Sequence, residues 1–136
     1  MGLFDILSKK KNILVVDDET DIAGSLQIFL IGKGFGVCIA NDGTEAVKKA
    51  KSEKPDLIIL DLLMPEMDGF DACKMLKGDP ETQNIPVLVL TAQQLGRDLE
   101  DAFAAGANDY VIKPFDNERL FHKVEKLLID KGVPAP

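Results

Sequence analysis

The chain has 136 residues, which is enough for one domain with a sheet between two helix layers and too few for a second folded domain. Its 23 acidic and 16 basic residues give a net charge of -7, which argues against a nucleic-acid backbone as the main partner. The two cysteines, Cys38 and Cys73, follow no metal-binding or redox spacing, so we expect buried, reduced thiols in a cytoplasmic protein.

The N-terminus has apolar residues followed by Lys9, Lys10 and Lys11, and we assign residues 1–11 to an N-terminal extension. It lacks the pattern of a secretory signal, and no apolar stretch in the chain reaches the length of a membrane span, so no stable membrane insertion is expected. A loosely docked extension is the main interpretation, and docking on a partner or weak membrane contact is the alternative. Residues 12–131 form the predicted domain and 132–136 a flexible tail.

Strand-like and helix-like segments then alternate five times with short connections, which is typical of a doubly wound α/β fold. Four short apolar runs without polar alternation predict parallel strands that are buried on both faces. These runs are Ile13–Val16, Leu57–Leu60, Val87–Leu90 and Val111–Ile112.

Each predicted helix carries one apolar stripe at intervals of three and four residues, which should pack on the sheet. Asp42, with Glu45 three residues later, predicts a capped start for the second helix. The stripe positions are Ile22, Leu26, Phe29 and Leu30 in the first helix, Ala46, Val47 and Ala50 in the second, Ala72, Cys73 and Leu76 in the third, Leu95, Leu99, Ala102 and Phe103 in the fourth, and Leu120, Val124, Leu127 and Leu128 in the fifth.

A polar residue follows each of the four apolar runs directly. These residues are Asp17 with Asp18, then Asp61, Thr91 and Lys113. In an open parallel sheet the ligand lies in the crevice at the carboxyl ends of the strands. The sequence therefore predicts that three carboxylates, one hydroxyl and one ammonium group meet at the same edge.

Three converging carboxylates repel one another unless a cation joins them. Mg²⁺ suits this set because it takes one or two carboxylates and completes its octahedron with water and phosphate oxygens, and Mn²⁺ is a substitute ion. An Asp can serve as a covalent nucleophile toward phosphorus. Lys113, the Thr91 hydroxyl and the backbone N–H of Ala92 can then stabilise the negative charge of a transferring phosphoryl group.

Each of these residues also has an ordinary structural interpretation. Asp18 or Thr20 could be the N-cap of the first helix, Thr91 could cap the helix that follows it, and Lys113 could be a surface lysine. The coincidence of suitable groups at four separate strand ends favours the functional interpretation.

The motifs together are similar to those of response-regulator receiver domains, over nearly everything from residue 12 to about residue 131. The segments that carry the resemblance are Ile13-Leu14-Val15-Val16-Asp17-Asp18-Glu19, Asp61-Leu62-Leu63-Met64-Pro65-Glu66-Met67-Asp68-Gly69, Thr91-Ala92 and Tyr110-Val111-Ile112-Lys113-Pro114-Phe115. The resemblance implies a flavodoxin-like (βα)5 fold with a five-stranded parallel sheet of order 2-1-3-4-5.

The resemblance also implies residue roles. Asp61 would be the phosphoacceptor, and Asp17, Asp18, Asp61 and the backbone carbonyl of Leu63 would hold Mg²⁺. Lys113 would pair with Asp61 or its phosphoryl oxygens, in a chain where the bond from Lys113 to Pro114 is commonly cis. In the same way, Thr91 and Tyr110 would form the switch pair.

The implied function is that of a stand-alone receiver, a signalling phosphoacceptor rather than an enzyme. It would accept a phosphoryl group from a sensor histidine kinase or a histidine phosphotransfer protein. Because the chain ends shortly after the fifth helix, output is expected through a downstream protein on the face of helix 4, strand 5 and helix 5, as in chemotaxis-type or phosphorelay-type regulators. The side chains of Leu63 and Gln93 would flank the path of the hydrolytic water, and Leu63 predicts slow dephosphorylation.

Three other functions remain as alternatives. A phosphatase of the haloacid dehalogenase type would need a second acidic residue where Leu63 stands. A flavodoxin-like cofactor binder would need a phosphate loop where Asp17-Asp18-Glu19 follows the first strand. A degenerate receiver would only dock partners, although all five chemical positions match the motif.

Overall fold

The computed structural model describes residues 10–62, 69–92 and 96–132. Most of the N-terminal extension and of the tail, together with Leu63, Gln93 and Leu95, lies outside these ranges. Five strands alternate with five helices in the described part of the chain. The strands are β1 (Asn12–Val16), β2 (Gly36–Ala40), β3 (Leu57–Asp61), β4 (Val87–Ala92) and β5 (Asp109–Lys113). The helices are α1 (Thr20–Gly32), α2 (Gly43–Glu53), α3 (Gly69–Gly78), α4 (Gly96–Ala104) and α5 (Asn117–Gly132).

All strand pairs of the sheet are parallel, and the strand order is β2-β1-β3-β4-β5. The predicted fold class and strand order are therefore confirmed. β1 pairs with β2 from Asn12 opposite Gly36 to Val16 opposite Ala40. This register brings the carboxyl ends of the strands to a common edge, which is where the polar residues follow.

The two faces of the sheet bury two separate apolar cores. In β1, Ile13 and Val15 face the core formed with α1 and α5, whereas Leu14 and Val16 face the core formed with α2, α3 and α4. Successive side chains on a strand point to opposite faces, so a strand buried on both faces needs an unbroken apolar run. This explains why the apolar runs lack polar alternation.

Most of the predicted helix stripes lie in these cores, including Ala46 and Ala50 of α2 and Leu120 and Val124 of α5. The cap of α2 is also confirmed, because the Asp42 carboxylate accepts a hydrogen bond of 2.8 Å from the Glu45 N–H. Phe103 is a correction. Its side chain is 46% exposed and meets the Tyr110 ring of β5 instead of lying in the core under α4.

The cysteine prediction holds in part. Both thiols are free, and Cys73 is buried with its Sγ 3.6 Å from the carbonyl oxygen of Ala105. Cys38 is only half-buried, because β2 is an edge strand with no further strand beside it. Among the helices of the described residues, none combines the length and the apolar character that crossing a membrane requires.

Candidate functional site

Three carboxylates converge at the carboxyl edge of the sheet. Asp17 and Asp18 follow β1, and Asp61 ends β3, the neighbouring strand. One oxygen from each lies within 4.8 Å of the others. Asp17 and Asp61 are buried, with 0% and 2% of their surface exposed, whereas Asp18 is exposed.

Asp17 is the most constrained of the three. Its Oδ1 accepts a hydrogen bond of 2.9 Å from the Glu19 N–H, and its buried Oδ2 has no hydrogen-bond partner among the described residues. Burial raises the pKa of Asp17 to about 6; the Glu19 hydrogen bond opposes this shift, and the nearby Asp61 carboxylate adds to it. A buried, unpaired carboxylate oxygen beside two other carboxylates fits a hard divalent cation such as Mg²⁺.

The first helix does not use these aspartates as caps. Glu19 is the N-cap residue of α1, and no side chain caps it by a hydrogen bond. The alternative role of Asp18 or Thr20 as the N-cap is therefore wrong. The Asp18 carboxylate contributes an oxygen to the acidic cluster instead.

The positive charge of the site comes from Lys113 at the end of β5. Its Nζ lies 3.1 Å from Oδ2 of Asp61, although β4 separates the two strands in the sheet. The side chain must extend across the end of β4 to make this contact. The peptide bond from Lys113 to Pro114 is cis, as the resemblance implied.

Thr91 ends its apolar run inside β4 and is 2% exposed. Its Oγ1 is buried and has no hydrogen-bond partner among the described residues. A buried hydroxyl without a partner is uncommon in a folded protein and calls for an explanation. The backbone of the next residue, Ala92, lies opposite Lys113 in the register of β4 and β5.

The motif residue Gly69 has a role that the pattern of polar residues did not predict. It begins α3 directly against the end of β3, and a Cβ atom there would lie 2.5 Å from the carbonyl oxygen of Asp61 and from Cα of Leu62. Its N–H donates to the carbonyl oxygen of Leu62 at 3.1 Å. Only glycine permits this close approach, so Gly69 helps to position Asp61. The sequence signal was the Asp-Gly pair before an apolar helix.

The structure brings together Asp17, Asp18, Asp61 and Lys113. Tyr110 is half-buried in β5 and packs against the core on the side of α2, α3 and α4. The predicted carbonyl ligand from Leu63 lies outside the described residues. Phe103 and Lys123, whose contacts with Tyr110 were not predicted, are described below.

The acidic cluster and its paired lysine lie at the carboxyl edge of a parallel sheet of order 2-1-3-4-5. Residues 13–125 match the family model described as the response regulator receiver domain. The chain belongs to this family. Receiver domains are signalling phosphoacceptors of two-component systems and bind Mg²⁺ at an acidic pocket.

The chain is also similar in sequence to curated response regulators. The chain is 42% identical over 126 residues to the alkaline phosphatase synthesis transcriptional regulatory protein PhoP of Bacillus subtilis (strain 168), covering 93% of this chain and 52% of that protein. The chain thus spans about half the length of the curated relatives it matches.

Two solved structures extend the comparison. A putative response regulator from Chloroflexus aurantiacus J-10-fl superposes with a TM-score of 0.84 at 38% identity, over 88% of this chain and 98% of that one. The receiver domain of sensor histidine kinase PA1611 from Pseudomonas aeruginosa PAO1, solved with a magnesium ion coordinated in the active site cleft, gives a TM-score of 0.81 at 29% identity, over 88% and 98% of the two chains.

Proposed function

We propose that this protein accepts a phosphoryl group on Asp61 in a Mg²⁺-dependent reaction and reports that event through a change of its surface. The observation that carries the proposal is the pairing of Asp61 with Lys113 at 3.1 Å beside two further carboxylates. Few structural roles require three carboxylates to share one small volume, since their mutual repulsion opposes folding.

The residues that would hold the metal are Asp17, Asp18 and Asp61, with the Leu63 carbonyl as a further ligand. The unpaired Oδ2 of Asp17 supports this assignment. The bound ion supplies neutralising charge to the carboxylates and the phosphoryl oxygens. The magnesium in the PA1611 receiver domain is a second line of support.

In the transfer step, a carboxylate oxygen of Asp61 forms the new bond to phosphorus while the bond from phosphorus to the donor atom breaks. The donor is a phosphohistidine of a sensor kinase or a phosphotransfer protein. The Lys113 ammonium and the Ala92 N–H stabilise the charge on the phosphoryl oxygens, and the Thr91 hydroxyl gains in them an acceptor that no described residue supplies. Tyr110 completes the switch by following Thr91.

We assign the output to the face formed by α4, β5 and α5, through a downstream protein and without nucleic acid. A different output is favoured by one observation: the Bacillus subtilis relative is named as a transcriptional regulatory protein and is about twice as long as this chain. On that alternative the receiver would control a DNA-binding partner domain. An immunoblot of source cells separates the two, because a stand-alone receiver runs at 14.8 kDa and a longer band would contradict it.

The phosphoacceptor assignment is tested by incubating the protein with Mg²⁺ and a small acyl phosphate and measuring the intact mass. We expect one added phosphoryl group, which hydroxylamine removes because it cleaves acyl phosphates. Asp61→Asn should abolish the labelling. Asp130→Asn, which changes an exposed aspartate at the far end of α5, should not. Labelling that persists in Asp61→Asn would exclude the assignment.

A further inference from the structure

The ring of Tyr110 contacts side chains of α4 and α5. The Phe103 ring meets it edge to face, with ring centroids 5.9 Å apart and an interplanar angle of 88°. Nζ of Lys123 also lies close to this ring, 4.5 Å from its centroid. We call Phe103, Tyr110 and Lys123 the tyrosine cluster.

The Lys123 ammonium is held in place by oxygens as well as by the ring. It donates to the carbonyl oxygen of Tyr110 at 2.7 Å and to Oδ1 of Asp109 at 3.1 Å. The same Oδ1 accepts the Tyr110 N–H at 2.8 Å. Only 24% of the Lys123 side chain is exposed, so its ammonium group is partly desolvated, which strengthens a cation–ring contact.

Tyr110 and Thr91 lie in neighbouring strands, but they differ in how many contacts their side chains make. The Tyr110 ring contacts both Phe103 and Lys123, whereas the Thr91 hydroxyl is buried and unpaired among the described residues. A ring that follows Thr91 inward, as the proposed function requires, leaves the position in which Phe103 and Lys123 contact it.

We propose that Lys123 and Phe103 are positioning residues that hold the Tyr110 ring in the position seen here in the unphosphorylated protein and so set the resting position of the switch. This inference rests on the proposed function. Any change that weakens the cluster shifts the population toward the inward state before a phosphoryl group arrives. Because phosphorylation favours the same state, weakening the cluster also makes phosphorylation easier.

The chain offers a direct probe, since Tyr110 is its only tyrosine and it has no tryptophan. Acrylamide quenching of tyrosine fluorescence therefore reports on this ring alone. The test variant is Lys123→Met, which keeps the apolar stem and removes the charge and its hydrogen bonds. The matched control is Lys126→Met, on the exposed side of the same helix, and Lys123→Arg is the conservative rescue.

In Lys123→Met the inward ring should be less accessible, so quenching should fall, whereas Lys126→Met should behave as the original protein. The initial rate of labelling by a small acyl phosphate should rise about three- to ten-fold, in line with losing one partly desolvated cation–ring contact. Lys123→Arg should restore both values. Phe103→Ala, at a half-exposed site, should shift both the quenching and the labelling rate in the same direction as Lys123→Met.

Quenching that rises in Lys123→Met would overturn the inference, because it would mean that the ring has become more exposed to solvent. Unchanged quenching would also overturn it, because the position of the ring would then not depend on Lys123. The quenching comparison uses unphosphorylated protein, so it gives an answer even if no phosphoryl group is ever accepted. Failure of the original protein to become labelled, with the quenching shift present, would instead contradict the proposed function.

Discussion

The interior of the sheet and its carboxyl edge are both buried, but they differ in how their atoms are matched. Side chains such as Ile59 and Leu88 are fully buried among other apolar groups. At the edge, Oδ2 of Asp17 and Oγ1 of Thr91 are buried with no partner among the described residues. Burial of matched apolar groups in the interior stabilises the fold. Burial of unpaired polar atoms at the edge lowers the stability of the fold, as is common at ligand-binding sites.

The largest expected effect is in the interior. Ile59→Ala removes a fully buried side chain from β3 and should lower the free energy of unfolding by about 2–5 kcal/mol, through lost burial and a residual cavity. Urea unfolding measures this change. Ile28→Ala is the matched control, because Ile28 is 75% exposed on α1 and its truncation should change stability little. Equal losses in both variants would contradict the burial of the interior.

At the edge, removing the Asp17 charge should increase stability. An acid whose pKa is about 6 in the folded protein and 3.8 in the unfolded chain makes the folded state bind more protons between these values. The contribution of Asp17 to stability therefore falls as the pH rises from about 4 to about 6. Without metal at pH 7, Asp17→Asn should raise the free energy of unfolding by on the order of 1–3 kcal/mol.

Thermal unfolding with and without Mg²⁺ completes this test. The original protein should gain stability with Mg²⁺, since an ion that binds only the folded state stabilises it by mass action. Asp17→Asn should lose most of that gain. Asp18→Asn should also weaken the response to Mg²⁺ but should not stabilise the metal-free protein, because Asp18 is exposed. If, without Mg²⁺, only Asp18→Asn were more stable than the original protein, Asp18 rather than Asp17 would be the destabilising carboxylate.

A pair of buried threonines sharpens the comparison further. Thr91→Val removes a hydroxyl that has no partner in the described part of the chain and should raise the free energy of unfolding by about 1 kcal/mol. Thr82→Val removes a hydroxyl that donates to the carbonyl oxygen of Leu76 at 2.6 Å and should lower it by about 1–2 kcal/mol. Chemical denaturation measures the change in the free energy of unfolding for both variants. Changes of the same sign would contradict the difference in hydrogen bonding between the two hydroxyls.

The smallest effect is expected at the surface pair of Lys51 and Asp79, whose Nζ and Oδ2 are 2.8 Å apart. The Lys51 hydrogen bond lowers the pKa of Asp79 below its ordinary value of 3.8. The pair therefore contributes its stability above that pH and loses it as the pH falls through the lowered pKa. Lys51→Met should be slightly less stable than Lys48→Met at pH 7, and the difference should vanish in strong acid.

The predictability of the fold differed between its parts. Unbroken apolar runs such as Leu57–Leu60 predicted strands buried on both faces, because a parallel sheet covered by helices leaves no polar face. Phe103 was misplaced, since a helical stripe shows which residues share a face but not how the helix is rotated on the sheet. The contacts among Phe103, Tyr110 and Lys123 join three elements and have no local signature.

From the sequence one could predict the succession of strands and helices along the chain, the polar residue at each strand end and the resemblance to receiver domains. Those features follow from local periodicity and from motif spacing. The folded structure was needed to show that Asp17 is buried while its neighbour Asp18 is exposed. It was also needed to show that the Thr91 hydroxyl has no partner among the described residues. Burial and hydrogen-bond pairing depend on contacts between segments that are distant in the sequence, and these contacts exist only in the folded chain.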